Sequence, residues 1–438
     1  MNEPGPNPRP LPTGVSALTR RRFLAFTGVA AAGALAAGAT RVRWSELVSA
    51  AAAAPLDPAA GVLVVVTLYG GNDGLNTVVP AADPAYRSAR ADLAYAPEEV
   101  LDLGDGLGLN PGLTGLHQRW RDQGLAILRG VGYPEPDRSH FRSMAIWQTA
   151  SPRAASTTGW LGRWLDATAA GPLAAVAVDS LVPPMLAGAT RAAASFPVSG
   201  LRLPADAYGR ALALLGRPDP GDGVWQARVA RSITDLEHTA RTLGPAAGRT
   251  PGGPAPGAPG APDAPDEEQQ AKGASAGGQG ALRHQLDTVA TLIELGVPTR
   301  VYSVSLGGFD THSDERGTQQ RLLAELDTAL VSFAERMSRT ERGQQVVTVV
   351  YSEFGRRVAA NASDGTDHGT AGPVFVLGQG VRGGFYGTEP SLTDLDDGDL
   401  KAGLDFRSVY ASLLAGVLGA EPAAILDGYQ DRIGGLLD

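Results

Sequence analysis

Continuous apolar runs recur along this chain. Val62–Tyr69 reads VLVVVTLY, rich in β-branched residues, which predicts a strand buried on both faces, as in a parallel sheet. Similar runs occupy Leu125–Val131, Ala175–Val178, Val301–Leu306, Val346–Tyr351 and Pro373–Leu377. Helix-period patterns lie between several of them, over Ser139–Thr149, Val224–Leu243, Leu282–Leu295, Gln319–Met337 and Phe406–Leu418. Strands alternating with helices predict an α/β fold, three-layer α/β/α with a mostly parallel central sheet.

The stretch 244–280 breaks the rhythm. It is rich in Pro, Gly and Ala and poor in large apolar residues, which predicts a disordered segment. Helical patterns flank it, so it joins two helices of one domain or forms a hinge between two. The strands after it resemble those before it, which favours an insertion within a single α/β domain over 55–438.

The N-terminus carries an address. Thr19-Arg20-Arg21-Arg22-Phe23-Leu24 opens a weakly apolar run of Ala and Gly that ends at Ala39. That run is short and feeble for a membrane span, which takes about 20 strongly apolar residues. The pattern resembles the twin-arginine export signal, and it predicts residues 1–54 to be a signal peptide and its flank. The alanines at 50–54 offer small-residue cleavage sites; an uncleaved signal would leave the protein membrane-anchored. The expected partner is the twin-arginine translocase, and the expected location periplasmic, extracellular or at the cell surface. This route carries folded proteins, often with a cofactor already taken up.

Composition narrows the chemistry. The net charge of −9 argues against nucleic-acid binding by bulk electrostatics. The absence of cysteine excludes disulfides, thiolate metal sites and cysteine nucleophiles. Lys272 and Lys401 are the only lysines among 37 basic residues, so arginine is general here and weak evidence for an anion site.

Polar clusters fall next to the predicted strands, where open α/β sheets bind ligands. Asp73 follows the first strand in Gly70-Gly71-Asn72-Asp73-Gly74, which is also ordinary turn chemistry. Ser139 opens a predicted helix in Arg138-Ser139-His140, as an N-cap or as a nucleophile beside His140. Asp310 and His312, two apart after another strand, have the spacing of two ligands of one metal. Glu353 stands at the tip of Val346–Tyr351, with Arg356 and Arg357 after it; Asp367-His368 precede the last strand. Carboxylates and imidazoles without thiolates suit a divalent metal: zinc, manganese, magnesium or calcium. Arg138 and Arg356 are the candidate anion-binding residues.

The ordered set GGNDGLNTVVP, GYPEPDRSHF, GWLGRWLD, FDTH, SEFGRR, GTDHGTAGPVFVLG and DFRSVYASLL resembles the bacterial domain-of-unknown-function family 1501 over about residues 60–430. That family is distantly similar to the alkaline phosphatase and sulfatase superfamily. The resemblance implies an alkaline-phosphatase-like fold and metal-dependent hydrolysis of phosphate or sulfate esters of a small molecule or glycan. It implies metal ligands at Asp73, Asp310, His312, Glu353 and His368 and a nucleophile at Ser139, and Asp367 beside His368 is a further candidate ligand. Two departures stand out. Ser352-Glu353 replaces an Asp-His pair, and Asp310 and His312 are closer than the usual Asp-x-x-x-His. Either departure is compatible with one metal instead of two, or with a non-catalytic protein that binds a ligand, glycan or partner.

Overall fold

The computed structural model describes residues 40–179, 181–197 and 280–437. The twin-arginine motif, the helix expected over Val224–Leu243 and all of the 244–280 stretch except Gly280 lie outside the described residues. The strands are β1 (Thr40–Arg41), β2 (Val62–Leu68), β3 (Val78–Val79), β4 (Leu101–Gly104), β5 (Leu107–Leu109), β6 (Leu125–Gly132), β7 (Ala175–Ala177), β8 (Ala194–Ser195), β9 (Val301–Leu306), β10 (Val346–Ser352), β11 (Gly372–Gly378), β12 (Gly384–Tyr386) and β13 (Leu404–Asp405). The helices are α1 (Trp44–Ala53), α2 (Pro84–Arg90), α3 (Thr114–Arg121), α4 (His140–Thr149), α5 (Trp160–Ala167), α6 (Ala281–Glu294), α7 (Glu315–Met337), α8 (Phe406–Gly416) and α9 (Pro422–Ile425).

The main sheet runs β1-β8-β7-β9-β2-β10-β11-β6-β12, with β13 also on β6. β11 is antiparallel to both of its neighbours, and every other pairing in this sheet is parallel. The fold is thus α/β with a largely parallel central sheet. Alternation along β2 explains the layers. Val62, Val64, Val66 and Leu68 share one core with Leu286, Ile293, Leu326 and Phe333 of α6 and α7. Leu63 and Val65 share the other with Trp147, Trp160, Phe406 and Leu413 of α4, α5 and α8. Both faces are covered, which is why these strands read as unbroken apolar runs. A small antiparallel sheet, β3-β5-β4, has no counterpart among the predicted strands.

Residues 40–53 belong to this core. β1 pairs with β8, and Val42, Leu47 and Ala51 are buried in the first core cluster. Domain packing therefore includes residues upstream of the expected start at 55. A cut at 50–54 would take Leu47 out of the core, at a cost of about 1.5–3 kcal/mol for that side chain alone. Among the described residues, no helix is long and apolar enough to cross a membrane.

Strand direction assembles the site. β2, β6, β9 and β10 run the same way, so the segments following them emerge at one edge. β11 runs the opposite way, so the residues before it, Asp367 and His368, reach that same edge.

Candidate metal centre

Gly70 and Gly71 let the strand tips approach closely. Gly70 has φ 115°, and a Cβ there would sit 2.4 Å from the Asp310 nitrogen; at Gly71, φ 70°, it would sit 2.1 Å from the Phe354 ring. Into this space come three imidazoles and one carboxylate. Asp310 Oδ1 is 3.0 Å from His312 Nε2 and 3.1 Å from His368 Nε2, and its Oδ2 is 3.5 Å from His140 Nε2. The His312 and His368 Nε2 atoms are 3.0 Å apart.

Hydrogen-bond bookkeeping tells which ring nitrogens are free. His368 Nδ1 lies 2.9 Å from the Arg138 carbonyl, which can only accept, so Nδ1 carries the proton. His140 Nδ1 lies 2.9 Å from Glu353 Oε1 and donates to that carboxylate. Both rings therefore aim Nε2 at Asp310. His140 Nε2 is buried and has no hydrogen-bond partner. Nitrogen lone pairs facing a carboxylate repel one another unless a proton or a cation lies among them.

With no cation among them, electrostatics favours a proton there. Burial lowers the His140 pKa, but Asp310 and Glu353 beside it outweigh burial and push it up to about 9. Burial raises the Asp310 pKa, but His140, His368 and Arg356 outweigh it and hold Asp310 well below the usual carboxylate range. The donor set also fits a metal. The contacts that Asp310 makes with the three ring nitrogens, and that His312 makes with His368, are 3.0–3.5 Å. A ligand atom from each of His140, Asp310 and His368 lies within 4.8 Å of the others.

Several expected roles change. Glu353 stands behind His140: its Oε1 takes that ring's N–H and the Gly70 amide at 2.9 Å, and its Oε2 accepts from the Ser352 hydroxyl at 3.0 Å. Its oxygens are thus committed to His140, Gly70 and Ser352. Asp367 likewise faces the outer nitrogen of His312, at 3.5 Å, with its side chain 61% exposed.

Asp73 lies outside the cluster. Its carboxylate is fully buried against Arg90, and its Oδ1 accepts the Leu75 amide. Arg90 thus supplies the positive charge that a metal was expected to bring. Burial, and then the charge of Asp73, raises the pKa of the neighbouring Glu315.

Arg356 is buried and bonds the carbonyls of Gly70, Gly71, Phe309 and Thr366 as well as Asp310, so it is not open to an anion. Arg138 is held by Asp397 and Asp399. Ser139 is exposed at the N-cap of α4 and makes no capping hydrogen bond. Its neighbour His140 turns inward instead.

Sequence reading missed Phe354, whose ring centroid is 4.9 Å from those of both His140 and His368. Its place beside Glu353 in the Ser352–Arg357 motif was the available signal. The Arg138 carbonyl had none, because every residue has one.

Residues 247–433 match the model of a family described as "Protein of unknown function (DUF1501)", in line with the resemblance carried by the motifs. No curated protein matches the chain. Among solved structures the chain is similar to a protein in the alkaline phosphatase superfamily from Vibrio parahaemolyticus, at 9% identity and TM-score 0.39, over 89% of this chain and 78% of that one. It is similar to a 2-O GAG sulfatase at 12% identity and TM-score 0.33, over 85% and 76%. A phosphonate monoester hydrolase from Silicibacter pomeroyi follows at 12% identity and TM-score 0.28, over 84% and 77%.

Proposed function

We propose that this chain is an exported, metal-dependent hydrolase of phosphate or sulfate esters. The orphaned, buried Nε2 of His140 supports this reading most directly, because it aims at Asp310 with His312 and His368 alongside. In this reading His140, Asp310 and His368 hold one divalent metal, and His312 completes the set on the open side. A bound metal supplies Lewis acidity and makes a water nucleophilic near neutral pH.

The chain's own groups do the rest. Glu353 and the Arg138 carbonyl fix the tautomers of His140 and His368, so that both present a lone pair. Arg356 keeps Asp310 ionised. One water is consumed, the P–O or S–O ester bond breaks, and the alcohol leaves with a proton.

The exposed Ser139 hydroxyl favours attack by water over a covalent serine intermediate. With p-nitrophenyl phosphate and p-nitrophenyl sulfate as probes, we expect metal-dependent turnover that Ser139→Ala leaves within about threefold. A loss of roughly a thousandfold in Ser139→Ala would restore the serine as nucleophile. Absence of turnover in metal-loaded wild type would favour the non-catalytic ligand-binding reading.

Export rests on Thr19–Leu24. Because Val42, Leu47 and Ala51 are packed in the core, this reading has the signal removed upstream of Val42 or kept as an anchor. Changing Arg20 and Arg21 both to Lys is expected to retain the protein in the cytoplasm, read by cell fractionation. Unchanged export would remove the twin-arginine assignment and with it the translocase as partner.

A further inference from the structure

At the other edge of the sheet, away from the metal centre, lies a cavity of about 600 Å³, within the size range of small-molecule sites. β10 begins there at Val346 and β11 ends there at Gly378, whereas Glu353 after β10 and His368 before β11 stand at the metal centre. The C-terminal turns of α3 and α7 form its sides. None of the residues of the metal centre lines it.

Its floor is apolar: Phe333, Met337, Leu377 and Val381 line it and are buried. Thr348 interrupts that floor. It stands midway along β10, VVTVVYS, and alternation puts it on the same face as Val346 and Val350, which pack with α6 and α7. Thr348 is only 2% exposed. Its hydroxyl has no hydrogen-bond partner among the described residues, yet it keeps surface on the cavity. A buried hydroxyl without a partner is costly, and a valine of the same shape would avoid that cost. Packing gives no reason for a threonine here, whereas a ligand does.

The second donor is Arg119 on α3. Its side chain forms no ion pair and no hydrogen bond among the described residues, and its Nε is buried. The two terminal nitrogens stay open, and a guanidinium can only donate. Asp122 and Glu335 also line the cavity, but both are exposed, where solvent and salt screen them. Asp122 in addition accepts from Gln118 at 3.0 Å. Arginine alone is weak evidence in this chain; the open hydroxyl on the same cavity is the independent observation.

We propose that this cavity is a second ligand site, for a small amphipathic carboxylate. The carboxylate accepts from Arg119 and from the Thr348 hydroxyl, and its hydrocarbon or aromatic body lies on the apolar floor. The site stands apart from the hydrolase reading and does not depend on it.

The test is calorimetry on the full chain, with and without EDTA. The probes are hexanoate, octanoate and 4-phenylbutyrate, each against the alcohol of the same skeleton. Each acid is expected to bind about tenfold tighter than its alcohol, the gain typical of a hydrogen bond to a charged group. Arg119→Gln is expected to bring acid and alcohol within about twofold, and it removes no contact that the fold uses. Thr348→Val is expected to weaken acid binding about fivefold while leaving the denaturation midpoint unchanged or higher. EDTA is expected to change nothing. Equal affinity of acid and alcohol in wild type, no binding of any acid at millimolar concentration, or a preference that survives Arg119→Gln would overturn the proposal. So would unchanged acid binding in Thr348→Val. Loss of acid binding in EDTA would place the acids on the metal, overturning the proposal while supporting the metal centre.

Discussion

Purified without chelator, the wild-type protein is expected to carry about one divalent metal per chain, and the Asp310→Ala/His312→Ala double variant none, by elemental analysis. Asp310 is the common partner of three ring nitrogens, and each of its oxygens faces at least one of them. Removing it leaves the imidazoles without their anionic ligand, and removing His312 opens the set further. Circular dichroism of both proteins is the control, because Asp310→Ala also takes the carboxylate partner from the buried Arg356. Glu353→Gln gives a graded version. The Glu353 carboxylate accepts from His140, so its neutralisation should weaken metal binding about 10–100-fold without abolishing it. A wild type that holds no metal, and takes none up on titration, would end the metallohydrolase reading in favour of a binding protein.

Arg356→Ala is expected to lower folding stability by about 3–5 kcal/mol, the cost of removing one partner from a buried ionic network. The guanidinium is fully buried, and four backbone carbonyls from three strand-tip segments depend on it together with Asp310. Its loss orphans those acceptors and an ionised carboxylate at once. Arg356→Lys should recover little, because an ammonium has three donors and no planar fork. Chemical denaturation of wild type and both variants measures this. A loss under about 1 kcal/mol for Arg356→Ala, the ordinary size for a substitution, would mean that water or side-chain movement replaces the network.

The Arg356 result bears on how the site was legible. Sequence reading placed Asp310, His312, Glu353, Asp367 and His368 at strand tips, and the structure brings Asp310, His312 and His368 together. It read Glu353 and Asp367 as ligands, whereas they stand behind His140 and His312. It read Arg356 as a receptor for anions, whereas the side chain is spent on carbonyls. A spacing pattern reports that a side chain is near an edge. Which way it points depends on the partner segment, and for Glu353 and His140 that partner is 213 positions away.

The chain's local pattern by itself determined six strands of the main sheet and four of the described helices, α4, α6, α7 and α8, because burial on both faces leaves unbroken apolar runs and a half-buried helix leaves a 3.6-residue period. Boundaries moved by a turn or less: α7 begins at Glu315, before the predicted Gln319, and Ser139 caps α4 from outside. The tertiary structure alone decided three things. It turned β11 antiparallel, which carries His368 to the edge where the parallel strands end. It set Arg90 against Asp73, which withdrew that carboxylate from the centre. It folded residues 40–53 into the core, which moved the domain boundary. The physical reason is the same in each case. Apolar periodicity is written within a few neighbouring residues, whereas charge pairing and strand order are settled between segments far apart in the chain.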